Sequence, residues 1–220
     1  VVAQRIDVGL LRRAAEQAMS LPDEAQAGIR RMLGAVAESL SASLRGHRPL
    51  PLAIHLDLGI VAESSIDPGW DAALAALPFD GTGLPPTVPA AHGPIRTVDL
   101  VNIAIAQCCA ALLGEGGRPD RKVLASATRT LATALADKHP GRSIEVRVPP
   151  TVAVQIGTGT GPVHTRGTPP NVIETDPATF VRLATGLAEW TAELAAHRVS
   201  ASGAAADLTD VLPLSRSLAP

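Results

Sequence analysis

Aromatic side chains are almost missing from this chain. There is no tyrosine, and Trp70, Trp190, Phe79 and Phe180 make up the whole 2% aromatic content. Much of the 46% hydrophobic content is alanine, which buries little area. The cores must draw on Leu, Val and Ile, each Å² buried contributing roughly 25 cal/mol. Lysine is nearly absent as well: Lys122 and Lys138 are the only two among 19 basic residues. The net charge is −2, and no basic run carries interleaved aromatics. That excludes the electrostatic footprint of a nucleic-acid binder. The two cysteines, Cys108 and Cys109, are adjacent in an apolar helical pattern. A helix points neighbouring side chains in different directions, so no bridge between them is expected, and reduced thiols fit a cytoplasmic protein. VVAQRIDVGLLRR lacks the long apolar stretch of a secretory signal. No uninterrupted apolar run reaches about 18 residues, so stable membrane insertion is not expected.

Catalytic signatures are also scarce. No Ser-His-Asp order and no nucleophile elbow is visible. GTGTGP at 157–162 superficially resembles a phosphate loop, but no Lys-Ser/Thr follows and no helix begins there. No lysine or histidine flanks Cys108-Cys109 to lower a thiol pKa. The expectation is therefore no catalytic residue, no metal and no cofactor.

What is present begins with helices. Ile6, Leu10, Leu11, Ala14 and Ala18 share a helical face over residues 6–19. SLPDE at 20–24 ends that helix and starts the next, with Ser20 as a candidate cap and Asp23 and Glu24 in the first turn. Ile29, Met32, Leu33, Val36, Leu40 and Leu44 carry the second helix to about Leu44, with Gly46 as its stop. Periodicity leaves residues 51–65 undecided between helix and strand. A short helix is expected over Asp71 to Leu77. Residues 78–94, rich in Pro and Gly, read as a long loop and a candidate hinge or lid. Thr97 is a candidate cap for a helix to Leu113, and Asp120 starts another through Ala136. GEGGRP at 114–119 opens the connection between them, placing a boundary near residue 118. A fragment starting near Arg118 is expected to fold alone.

The C-terminal part is richer in local signals. Ile144, Val146 and Val148 alternate with Glu145 and Arg147, the pattern of a half-buried strand. Pro149-Pro150 interrupts it, and Val152, Val154 and Ile156 resume on one face. HTRGTPPN at 164–171 sets His164 and Arg166 between Gly and Pro punctuation. NVIET is a short strand. Asp176 caps a helix with Pro177 in its first turn, and Gly186 ends it. A second helix, the strand VSASG and a closing helix over ADLTDVLPL follow.

TDPATFVRLATG (175–186) and HRVSASGAAADLTDVLPL (197–214) resemble the sterol carrier protein 2-like fold. With PGRSIEVRVPP and HTRGTPPNVIETDP, the module is similar to the short actinobacterial sterol carrier family. That domain also forms the C-terminal part of the mycothiol-dependent maleylpyruvate isomerases. Their N-terminal part is a DinB-like, metal-binding helical bundle, and GPIRTVDLVNIAIAQCCAALL (93–113) resembles its late helix more weakly. Laid over that helix, Gln107 and Ala111 stand where a Glu and a His would ligate a metal. Alanine cannot ligate, and glutamine is a poor zinc ligand. The resemblance implies an α+β fold: a helical half, 1–118, and an α/β module, 119–215, with helices packed on a small mixed or antiparallel sheet.

The resemblance implies a non-catalytic binding protein for an apolar or amphipathic small molecule. The alternatives are a maleylpyruvate isomerase-like enzyme using Arg166 or Arg147 for an acidic substrate, or a scaffold that homodimerises through its alanine-rich helices. Phe180, Leu183, Leu187, Trp190, Leu194 and Leu212 are expected near an apolar cleft. His164 and Arg166 either receive a polar head group or tie their loop to backbone carbonyls. Glu145, Arg147 and Glu174 are expected as cross-strand pairs on a solvated face. His55, in an apolar segment, is either a remnant metal ligand or a satisfied core histidine.

Overall fold

The computed structural model describes residues 6–42, 48–52, 55, 70–158 and 170–214. Helix α1 (Val8–Ala18) begins where the Asp7 carboxylate accepts the Leu10 N–H at 2.7 Å. Helix α2 (Asp23–Ser41) starts later than the Ser20 cap would place it. Pro22 is at the N-cap, while the Ser20 hydroxyl donates backwards to the Gln17 carbonyl and closes α1. Asp23 and Glu24 then meet the positive end of the α2 dipole. The expected continuation towards Leu44 and Gly46 falls outside the described residues.

Helix α3 (Trp70–Ala76) agrees with the short helix read from sequence. Its C-terminal carbonyls are taken by Arg12 of α1. That guanidinium donates to the carbonyls of Leu74, Ala75 and Leu77, satisfying groups a helix end leaves open. The segment expected as a hinge or lid is held down by the same residues. The Phe79 ring lies on Gly9, where an added Cβ would come within 2.1 Å of it. The Gly9 N–H donates to the Phe79 carbonyl at 3.0 Å, and Arg12 lies 5.8 Å from the ring centroid. Residues 80–86 run as turns, as expected, but 87–96 form an antiparallel hairpin and no loop, β1 (Thr87–Ala90) with β2 (Gly93–Arg96), pairing Val88 with Ile95, both fully buried. Four prolines hid this pairing from the sequence pattern. Pro89 and Pro94 face each other in the hairpin, and its two strands carry too few residues for alternation to show.

Helix α4 (Thr97–Gly114) is the centre of the helical half and packs on α1, α2 and the following helix. Thr97 does not cap it. Arg96 takes the cap position, and the Thr97 hydroxyl instead donates to the Pro85 carbonyl across the hairpin base. By length and composition α4 could cross a membrane, but 78% of that stretch is buried inside the molecule. It is a core helix, apolar all round because neighbours cover it on most sides. Helix α5 (Arg121–Lys138) begins at Asp120, whose carboxylate accepts the Lys122 N–H at 2.8 Å.

The sheet of the C-terminal module has four strands in the order β4-β3-β5-β6: β3 (Ile144–Val148), β4 (Val152–Ile156), β5 (Asn171–Thr175) and β6 (Val199–Ser202). It is mixed: β3 runs parallel to β5, and the other two pairings are antiparallel. Ile144, Val146, Val148, Ile156, Ile173 and Val199 face the helices and are buried. Helix α6 (Pro177–Thr185) carries the expected Asp176 cap, its Oδ1 accepting from Ala178 and Thr179 and its Oδ2 from the Thr179 hydroxyl. It ends at Gly186 in the left-handed conformation, φ 77°, which glycine adopts without steric cost. Helix α7 (Trp190–Ala195) follows.

The expected closing helix does not form. Residues 203–214 run as turns, because Asp207 Oδ1 accepts the Thr209 N–H and hydroxyl, a local alternative to helical bonding. The boundary near residue 118 lies in the turn between α4 and α5. Buried apolar residues on both sides of it form one continuous cluster.

Candidate functional site

Most of the apolar positions expected near a cleft gather around the C-terminal end of α6. Phe180 and Leu183 are buried on α6 itself, and Trp190 opens α7 with 7% of its surface exposed. Leu187 and Leu212 are half-buried against the core, and Leu194 is one of two large apolar side chains exposed among the described residues, at 37%. The chain geometry explains the gathering. After Gly186, the Leu187 N–H returns to the Arg182 carbonyl at 2.8 Å. The closing segment comes back over the same corner: a Cβ on Gly186 would meet the Pro213 ring at 3.5 Å, and the Leu214 N–H donates to the Ala184 carbonyl at 2.9 Å. Leu187 and Pro213 thus meet at the corner after Gly186, with Leu187 and Leu212 both half-buried against the core; we call this corner the seam. Leu208 and Val211 of the closing segment are also buried in this core. Sequence reading missed both, having placed them in a helix.

The seam has a charged neighbour. Glu193 is mostly covered, and Arg198 holds it through two hydrogen bonds, Nε to Oε2 and Nη2 to Oε1 at 3.0 Å. That pairing, with Arg182 nearby, keeps the Glu193 carboxyl below its ordinary range. Arg182 also donates to the Leu113 carbonyl at 3.3 Å, tying α6 to the end of α4. His164 and Arg166 lie outside the described residues. On the opposite face of the sheet, Arg147 pairs with Glu145 of its own strand at 2.9 Å rather than across strands. Glu174 stands opposite Arg147 in register and adds attraction.

A second polar constellation sits in the helical half, at the start of α4. Arg96 and Asp99 form a two-pronged ion pair, with Nη2 to Oδ1 at 2.8 Å. The carboxylate is almost fully covered and the guanidinium half exposed. Burial pushes the Asp99 pKa up, and Arg96 works against that shift. His55 is completely buried, and neither ring nitrogen has a hydrogen-bond partner among the described residues. Burial lowers its pKa, while the Pro94 carbonyl and Asp99 pull the other way. His55 is therefore set against the start of α4. Gln107 lies two turns further on, about 12 Å along the helix axis, and its Oε1 is likewise buried without a partner. No group of three or more His, Cys, Asp or Glu suited to a metal ion occurs among the described residues. The Arg-x-x-Asp spacing at a helix start was the available signal for the ion pair; nothing in sequence placed His55 beside it.

The cysteines are deep in α4. Burial pushes both thiols up to about 12, so the nucleophilic thiolate is scarce at neutral pH. An open cleft of about 310 Å³ lies between the last turn of α2 and α3, lined by Ala37, Glu38, Ser41, Ala42 and Ala73.

Two solved structures of mycothiol-dependent maleylpyruvate isomerase, one of them a point mutant, are similar to this chain in outline. Each is 12% identical, with coverage of 91% of this chain and 92% of the other and TM-scores of 0.48 and 0.47. No curated protein matches the chain. The residues whose strands, caps and seam are described above, 120–214, match a family described as bacterial SCP ortholog, and it is to this family that the C-terminal module is similar.

Proposed function

We propose that this chain is a non-catalytic binding protein for an apolar or amphipathic small molecule, with its site at the seam between α6, α7 and the closing segment. The observation that carries this reading is the match of residues 120–214 to the bacterial SCP ortholog family. The seam supports it. In this reading Leu187, Leu194 and Leu212 give an apolar approach from the surface, and Arg182, Glu193 and Arg198 supply polar contacts at its rim. Binding sites of this kind combine an apolar lining with a few placed polar groups. Two thiols held in the protonated form favour binding over thiol chemistry by the chain itself. In this reading Arg166 and His164 receive the polar end of the ligand, and the protein works in the cytosol.

The test is titration of the purified chain with pyrene-decanoic acid, alongside native mass spectrometry and lipid extraction. Saturable binding near one per chain, weakened by Leu187→Asp, is the expected outcome. Arg166→Lys should weaken it too, because lysine loses the planar fork. No saturable uptake, together with extracts free of any stoichiometric apolar compound, would remove the proposal.

A further inference from the structure

The closing segment is held to the molecule in an unusual way. Among the described residues, every hydrogen bond within 206–212 is made to the segment itself or to the turn just before it. The Ala206 N–H donates to the Gly203 carbonyl and the Asp207 N–H to Ala205. Thr209 donates to Asp207 Oδ1, and the Val211 and Leu212 N–H groups donate to the Leu208 carbonyl. Bonds to the rest of the described residues lie only at the ends. At the start, the Ala205 N–H donates to Asn171 Oδ1 at 2.9 Å. At the finish, the Leu214 N–H reaches Ala184 and Lys138 Nζ reaches the Leu214 carbonyl at 3.2 Å. In between, attachment is apolar: Leu208 and Val211 are buried in the common core, Leu212 lies half-buried against it, and Pro213 rests on Gly186. The neighbouring strand β6 differs in kind, since backbone pairing in register with β5 locks it in place.

We infer that residues Ala206–Leu214 form a strap that lifts from α6 as one unit, and that its lifting opens the apolar interior of the C-terminal module to an apolar ligand. The physical reason is the distribution of bonds. A segment whose polar groups are satisfied internally keeps them satisfied when it moves, so lifting breaks only bonds at its ends and exposes apolar surface, and breaks no ladder. Compact loops packed by their own side chains behave as separate units, and local openings draw on segments held this way. The exposed apolar surface is the term an entering apolar ligand offsets. Leu208 and Val211 occupy, in the free protein, part of the common core that holds Phe180 and Leu183, and such a ligand takes over the space they leave. The second half of the inference rests on the binding function proposed above; the first does not.

Hydrogen exchange read by mass spectrometry on the full chain, without ligand, tests the first half. The amides of Val211, Leu212 and Leu214 should exchange together and well before those of α6 and β5. Leu208→Ala should speed the strap amides by at least about tenfold, since truncating a buried leucine weakens its hold, and leave the protection of β5 unchanged. Strap amides that exchange only with α6 and β5, in wild type and variant alike, would overturn the strap. Stopped-flow uptake of pyrene-decanoic acid tests the second half, with faster association expected in Leu208→Ala. Faster strap exchange with no change in association rate would overturn the gating role. Strap exchange as expected in a protein that takes up no probe would remove the binding function and leave the strap's motion standing. Probe uptake with an immobile strap would do the reverse.

Discussion

The helical half and the C-terminal module are built on different terms. In the module, helices α5 and α6 are capped by a side chain or a glycine close in sequence. Asp120 opens α5, Asp176 opens α6 and Gly186 closes it. In the helical half α1 is capped locally by Asp7 and Ser20, but other helix ends are held by residues further off. Arg12 closes α3 from more than sixty residues off, and Thr97 bonds to Pro85 in place of capping its own helix. The module also keeps its buried apolar strand faces free of charge, whereas the helical half buries His55 and Asp99 together. The difference teaches where specificity is stored: in local backbone chemistry in one region, in long-range polar contacts in the other.

Helix α5 joins the two regions. It packs on α1 and α4 on one side and on α6 and β4 on the other, so most of its circumference is buried. This gives the largest expected effect. A fragment beginning at Arg118 should keep the circular dichroism of its sheet and helices, because its caps and strand pairing are all internal. It should also melt far below the full chain, because the face of α5 that α4 covers becomes exposed. Equal melting temperatures would show that the module owes the helical half nothing; an unfolded spectrum would show that the two regions are a single folding unit.

Within the module, Phe180→Ala should cost about 3–5 kcal/mol in urea unfolding, since the ring is among the largest fully buried side chains. A loss below about 1 kcal/mol would mean that the strap or seam collapses into the space. In the helical half, Arg96→Ala should cost about 2 kcal/mol. It leaves Asp99 buried without its partner, though Arg96 itself is half exposed and gives back little. Asp176→Ala should cost about 1 kcal/mol, the ordinary loss for a helix N-cap. If Asp176→Ala proved more damaging than Arg96→Ala, the contrast between local and distant control would be reversed.

The same contrast explains what could be read from sequence. Alternation in SIEVRV, the Asp-Pro start and the Gly stop of α6 are signals a few residues long, and the sheet, α6 and the family resemblance all followed from them. The β1–β2 hairpin was not legible, because its prolines look like loop and its pairing depends on burial under α4. The closing helix was misread because Asp207 and Thr209 satisfy each other locally, an option that hydrophobic spacing does not reveal. The family resemblance put Phe180, Leu183, Leu187, Trp190, Leu194 and Leu212 near a cleft; Phe180, Leu183 and Trp190 are buried, Leu187 and Leu212 half-buried, and Leu194 exposed. Leu208 and Val211 could not be named from sequence, since their burial depends on how the strap folds back. Nothing in sequence brought His55 within electrostatic reach of Asp99, because about forty residues separate them and the proximity exists only once the chain has folded.

That buried pair yields the smallest effect and the most discriminating one. His55 has its pKa lowered by burial. Free in an unfolded chain it titrates near about 6.5, so below that pH the unfolded state binds a proton that the folded state resists. Stability must therefore fall as the pH drops from 6.5 through the folded-state value, and level off beneath it. Asp99 acts in the opposite sense. Burial raises its pKa, so the folded state holds a proton that the unfolded chain releases near about 3.9. Its contribution is largest in acid and is lost as the pH rises through the raised value. The two terms have opposite signs, so each reduces the other wherever their titration ranges overlap. Single variants should separate them. With His55→Leu, the loss of stability on going from pH 7 to pH 5 should shrink or change sign, because only the Asp99 term remains. With Asp99→Asn, the same acid step should become more destabilising than in wild type. Urea unfolding at half-unit intervals from pH 4.5 to 7.5 measures all three profiles. Three parallel curves would mean that neither group changes its protonation equilibrium on folding. The helical half would then hold its charges on the same terms as the module.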